Sequence, residues 1–139
     1  GYLALAAKAQ ATRGAFIVMI TGPDERADLV GAVASYCRST TYAVHLADAD
    51  LPMVAAVLCH ADAYAGNDSG VSHLAAAAGC PCVVLFGPTD PARWRPRGPS
   101  VSIVSARSMP DITVDRVSRA VFAVMNGRAV PSGAEALPA

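Results

Sequence analysis

Apolar residues in this chain fall into short continuous runs, separated by longer stretches in which they recur every three or four positions. The runs Phe16-Ile17-Val18-Met19-Ile20 and Cys82-Val83-Val84-Leu85-Phe86 have strand length and no polar alternation, as strands of a helix-covered parallel sheet do. Residues 42–46, 63–65 and 101–104 predict shorter strands. Helical spacing fills the intervals. Residues 2–12 place Leu3, Leu5, Ala6 and Ala9 on a candidate buried face. A second helix opens at Asp24-Glu25, where acidic side chains suit the helix dipole, and runs to about Arg38. Residues 52–60 follow Asp50 as N-cap, and residues 71–78 end at Gly79, a normal glycine position after a helix. Residues 113–125 carry Val114, Val117, Val121 and Val124 on one stripe. Residues 88–99, rich in proline and arginine, read as an irregular loop.

Strand and helix therefore alternate, which predicts an α/β fold: a Rossmann-like three-layer sandwich with a parallel sheet. One domain is expected over residues 1–126, followed by a flexible tail at 127–139. Ligands of such sheets bind beyond the carboxyl ends of the strands. The segments in that position, residues 21–25, 46–49, 66–70 and 87–90, hold much of the polar, turn-forming chemistry and are expected along one sheet edge.

The turn from Gly66 to His73 places small hydrogen-bonding residues between a strand and an alanine-rich helix. Two readings stand for it. In one it is an ordinary strand-to-helix turn, with Asp68 or Ser69 as the cap. In the other, the N–H groups of Ser69 to Ser72 hold a diphosphate at the helix start, with the Ser69 hydroxyl as an added donor. His73 would then reach a phosphate or sugar oxygen. Asp68 would hydrogen-bond a hydroxyl or brace the loop, because it repels phosphate. Glu25 likewise reads either as a first-turn carboxylate or as a grip on a ribose diol. Asp90 before Pro91 reads as a helix cap, while Gly87 and Thr89 would border the ligand.

Composition narrows the classes. Hydrophobic residues make up 53% and charged residues 16%, which excludes a disordered chain. The net charge is zero, and the local basic cluster Arg93, Arg95 and Arg97 is short, so nucleic acid is a poor partner. Trp94 among these arginines reads as a cap on an exposed loop. Cys37, Cys59, Cys80 and Cys82 lack a paired CxxC framework. Cys37 and Cys59 are expected as buried free thiols of a reducing, cytoplasmic compartment. The spacing of Cys80, Cys82 and His73 does not match common zinc motifs, and neither a metal nor a cofactor is expected.

The stretches GNDSGVSHLAAAAG and PCVVLFGPTDPARWRPRG together resemble the carboxyl-terminal domain of glycosyltransferase family 9, the ADP-heptose:lipopolysaccharide heptosyltransferases. The match is strongest over residues 61–98, and MITGPDERADLV extends it toward the amino terminus. The resemblance implies an inverting transferase of the GT-B fold, in which this half binds the nucleotide-sugar donor, ADP-heptose or similar. It assigns Asp68, Ser69, Gly70 and His73 to the donor loop and Glu25 to the ribose. Residues 46–49 fall at the adenine, and Gly87, Pro88 and Thr89 at the second turn. No catalytic residue is assigned within this chain. The base belongs to an amino-terminal domain, as does contact with a lipopolysaccharide-type acceptor. In the family a basic residue that helps neutralise the diphosphate sits before the first helix of this domain, a position outside this chain. Peripheral membrane association is implied for the whole protein. Ala47-Asp48-Ala49 departs from the family's usual small residue and turn.

A parallel α/β domain is expected to open on a strand, and this chain opens on a helix at Gly1. That predicts a longer reading frame around a donor-binding half. The alternative is a stand-alone nucleotide-binding or interaction domain without transferase chemistry. A third option, a nucleotide-sugar epimerase of the same fold, would need its catalytic set elsewhere.

Overall fold

A computed structural model describes residues 1–127, so the expected tail lies outside the described residues save for Gly127. Internal contacts divide the chain into two units, Gly1–Met53 and Val54–Ala139.

The first unit holds α1 (Tyr2–Arg13), β1 (Ile17–Thr21), α2 (Ala27–Arg38) and β2 (Ala43–Ala47), and α3 (Leu51–His60) begins at its end. Strands β1 and β2 pair in parallel, with Ile17 opposite Ala43 and Thr21 opposite Ala47. Gly14 stops α1 in the left-handed conformation at φ 61°, and its amide donates to the Gln10 carbonyl. Gln10 also ties the unit together. Its side-chain amide donates to the Tyr42 carbonyl at 2.9 Å, and its side-chain oxygen accepts from the Tyr36 hydroxyl of α2. The β1 run is less buried than its pattern predicts: only Thr21 is fully buried, and Phe16 and Tyr42 are 60% and 61% exposed. Fully buried side chains are few in its neighbours, Val33 in α2 and Ala6 and Ala9 in α1.

Helix α2 starts at Ala27 and not at Asp24. The Glu25 amide donates to the Gly22 carbonyl at 3.3 Å, closing a turn with Pro23 at its second position. Asp28 is the acidic residue of the first helical turn and pairs with Arg26, one nitrogen–oxygen distance being 2.6 Å.

In the second unit, β3 (Tyr64–Asn67), β4 (Cys82–Phe86) and β5 (Val101–Ser105) form a parallel sheet in the order β3-β4-β5. The strands therefore pair in two sheets, of two and three strands, where one was expected. All five residues of β4 are buried, as a central strand covered on both faces requires. Helix α4 (Gly70–Ala77) packs on β3 and β4, and α6 (Val114–Met125) packs on all three strands. Thr113 caps α6, accepting from the Arg116 amide at 3.3 Å. The buried set of α6 is Val117, Ser118, Ala120 and Val124, so the valine stripe holds at two of its four expected positions.

Other boundaries shift for local reasons. Strand β3 runs through Gly66 and Asn67 because they pair with Val84 and Leu85. The loop at 88–99 contains a helical turn, α5 (Pro91–Trp94), capped by Asp90 accepting from the Ala92 amide at 2.8 Å. A short 3-10 turn, Met109–Asp111, precedes α6. Asp50 caps α3, accepting from the Met53 amide at 2.9 Å. The cysteine expectation needs correction. Cys59 is exposed and Cys37 half-buried, whereas Cys80 and Cys82 are buried. Val54 and Leu58 form the buried face of α3, and Cys59 lies one position off it. All four thiols are free.

Candidate functional site

In a parallel pair, the segments leaving both strands emerge at the same end. The β3–β4 register sets Asn67 beside Leu85, and the Asp68 amide donates to the Leu85 carbonyl at 3.1 Å. Two candidate turns thus leave the sheet side by side: Asp68-Ser69 into α4, and Gly87-Pro88-Thr89 into α5. The structure brings together Asp68, Ser69, Gly70, His73, Gly87 and Thr89 at this edge.

Ser69 is the N-cap of α4, with extended backbone (φ −156°, ψ 166°) and no capping bond from its side chain. Its carbonyl accepts from the amides of Ser72 at 3.1 Å and His73 at 3.3 Å. The amides of Ser69, Gly70 and Val71 have no acceptor among the described residues. The candidate phosphate donors are therefore three, Ser72 being turned inward. Such N–H groups, with the helix dipole behind them, favour an anion. A Cβ built on Gly70 would meet nothing within 4 Å, so the approach to these amides is open. His73 is exposed, one turn into the helix, and Asp68 is half-buried beside the cap.

A side-chain network sets this turn from below. Ser72 is fully buried, and its hydroxyl donates to the Asn67 carbonyl and lies 3.1 Å from the Tyr64 hydroxyl. Tyr64 and Gly66 share one face of β3, and the Tyr64 ring folds over the Gly66 α-carbon. A Cβ there would lie 1.9 Å from the hydroxyl. Burial pushes the Tyr64 phenol above its ordinary range, with hydrogen bonds to Ser72 and Ser69 opposing it. Tyr64 thus stays a neutral phenol that braces the cap. Its role was missed in the sequence, although a tyrosine two residues before a glycine on a strand was the available signal.

On the far end of the helix, the turn is tied off by a Schellman motif. The Gly79 amide donates to Ala76 and the Cys80 amide to Ala75, with Gly79 at φ 78°. Cys82 donates its thiol to the Cys80 carbonyl at 2.8 Å, an arrangement that serves packing. Gly87 is covered by the Met109 side chain and backbone, 3.1–3.2 Å from a Cβ placed there. Thr89 is exposed.

The first unit presents its own turn at the carboxyl end of β1. Glu25 is exposed there, outside the helix, so a helix-dipole role does not account for it. Thr21 is buried and shares a hydrogen bond with His45 Nε2 at 2.8 Å, which ties the ends of β1 and β2. Asp48 adopts a left-handed backbone (φ 49°), and its amide donates to the Thr21 carbonyl at 3.0 Å. Aspartate is among the few non-glycine residues that tolerate this region. Ala47-Asp48-Ala49 is therefore a fixed corner in its own right.

Among the described residues, no group of three or more histidines, cysteines or carboxylates could hold a metal ion. No helix among them is long and apolar enough to cross a membrane.

Comparison with known proteins gives a consistent result. The family model for glycosyltransferase family 9 (heptosyltransferase) matches residues 1–121. A lipopolysaccharide heptosyltransferase 3 of Escherichia coli is 36% identical over 86 residues, covering 60% of this chain and 25% of that protein. Its counterpart in strain K12 is 35% identical over 86 residues, with the same coverage. The chain thus spans about a quarter of the length of these relatives. Among solved structures, E. coli heptosyltransferase WaaC with ADP superposes with a TM-score of 0.76 at 24% identity, over 88% of this chain and 38% of that one. E. coli ADP-heptose lipopolysaccharide heptosyltransferase II gives 0.75 at 24% identity, over 91% and 40%. At that identity the likeness is one of fold, and it bears out the α/β class with parallel strands.

Proposed function

Because this chain belongs to glycosyltransferase family 9, the heptosyltransferases, we propose that it is the donor-binding half of an inverting glycosyltransferase. Its donor would be a nucleotide diphosphate sugar of the ADP-heptose type, and its acceptor a lipopolysaccharide-type saccharide. The observation that carries the reading is the trio of open amides at Ser69, Gly70 and Val71, set beside Gly87 and Thr89 on one sheet edge.

In this mechanism a base in a partner domain takes the proton from an acceptor hydroxyl. The acceptor oxygen attacks the anomeric carbon as the bond to the diphosphate breaks, and the leaving group carries away the electron pair. The amides at the start of α4 stabilise the charge that gathers on the departing diphosphate, without reorganising as it forms. His73 hydrogen-bonds a phosphate or sugar oxygen, and Asp68 accepts from a sugar hydroxyl. Glu25 holds the ribose diol. The setting is cytoplasmic, which suits four free thiols, with peripheral membrane contact through the rest of the protein.

Calorimetric titration with ADP and with pyrophosphate tests the ribose assignment. Glu25→Ala should weaken ADP by about tenfold, the value of a hydrogen bond to a charged group. Pyrophosphate affinity should stay unchanged. Equal losses for both ligands would remove Glu25 from the ribose.

A further inference from the structure

The loop following α5 carries chemistry that the donor site does not use. Arg93, Arg95 and Arg97 line one cavity of about 290 Å³, together with Ala92, Pro96 and Gly98. It shares no lining residue with the turn at Asp68 to His73. All three arginines are exposed. Arg93 lies over the Trp94 ring, 5.0 Å from its centroid. Apart from that aromatic face, none of the three guanidinium groups has a partner among the described residues. Three unneutralised like charges around one small cavity repel one another, and an anion would reverse that cost.

The backbone that bears them is firmly held. Asp90 caps the preceding turn, and its carbonyl accepts from the amides of Arg93 and Trp94 at 3.2 and 3.1 Å. Pro96 is fully buried. Gly98 lies directly against α4, where a Cβ would stand 2.7 Å from the Ala76 carbonyl oxygen. The loop therefore alternates anchors, Pro96 and Gly98, with outward arginines at 95 and 97. This fixes where the charges emerge, as a binding site needs and a merely solubilising charge run does not.

We infer that Arg93, Arg95 and Arg97 form a second anion site, which takes a phosphomonoester group separately from the diphosphate turn at α4. Guanidinium groups match phosphate oxygens with paired N–H bonds, and a terminal phosphate offers three such oxygens. The cavity is at the lower end of the size of ligand pockets, which suits a phosphorylated headgroup better than a whole nucleotide sugar. The inference rests on the cavity and not on the donor assignment.

Titration of the full chain with inorganic phosphate and with glucose 6-phosphate tests it. Both should bind, and tighter binding of glucose 6-phosphate would identify a phosphorylated saccharide as the source, equal binding the phosphate group alone. The triple variant Arg93→Gln, Arg95→Gln, Arg97→Gln should lose at least about 100-fold in affinity for both probes, and each single variant about tenfold. Arg95→Lys should lose part of the affinity despite keeping its charge, because lysine cannot pair bidentately. Saturation with ADP should leave phosphate binding in place. Unchanged affinity in the triple variant, full affinity in Arg95→Lys, or displacement of both probes by ADP would each overturn the site. Circular dichroism of the single variants checks that the loop has not unfolded the unit.

Discussion

Replacing Gly70 with valine is expected to reduce affinity for ADP by about 100-fold or more, with little change in melting temperature. The expectation follows from two separate facts. A Cβ at position 70 would meet nothing within 4 Å, so the protein accepts the first carbon of a side chain there without repacking. That same open space is the approach to the amides of Ser69, Gly70 and Val71, and branched methyl groups would occupy the volume of a phosphate oxygen. Losing two charge-assisted hydrogen bonds, at ~1.5–3 kcal/mol each, accounts for a loss of that size. A titration that shows unchanged ADP affinity in a folded Gly70→Val protein would remove the phosphate from this turn. Position 66 offers no such clean test, because a Cβ there collides with the Tyr64 hydroxyl.

The second large effect concerns stability. Phe86→Ala should lower unfolding free energy by about 3–5 kcal/mol, measured from the urea midpoint at unchanged slope. Phe86 is fully buried at the carboxyl end of β4, the strand that α4 and α6 both cover. It is also the last residue before Gly87, so the cavity would open directly beneath the second candidate turn. A loss near 1 kcal/mol would mean that neighbouring side chains collapse into the space, and that the edge is softer than its burial suggests.

The alternation of strands and helices was legible because it rests on local pattern. The run Cys82–Phe86 is wholly apolar and wholly buried, and Asp50, Asp90 and Gly79 act at their helix ends as their chemistry predicts. What was missed depends on partners distant in sequence. Gly66 and Asn67 have poor strand propensity, and only pairing with Val84 and Leu85 makes them strand. Glu25 falls outside α2 because the turn at Pro23 consumes the residues that would have opened the helix. In the site, the small polar residues at 68–70 pointed to the open amides. The Tyr64–Ser72–Asn67 brace was hidden, since it forms only when α4 folds back onto β3. The anchoring of Gly98 against Ala76 was hidden for the same reason.

The open amides at the start of α4 also give the protein a built-in isotopic reporter. Ser69, Gly70 and Val71 should trade their amide hydrogens for deuterium nearly as fast as an unstructured peptide, while Ser72 and His73, bonded to the Ser69 carbonyl, are slowed. Five consecutive residues thus contain both a fast set and its internal reference. A phosphate seated on the turn would slow the first three and leave the next two as they were. The pattern of protection would then register the ligand's position residue by residue, with no substitution in the chain.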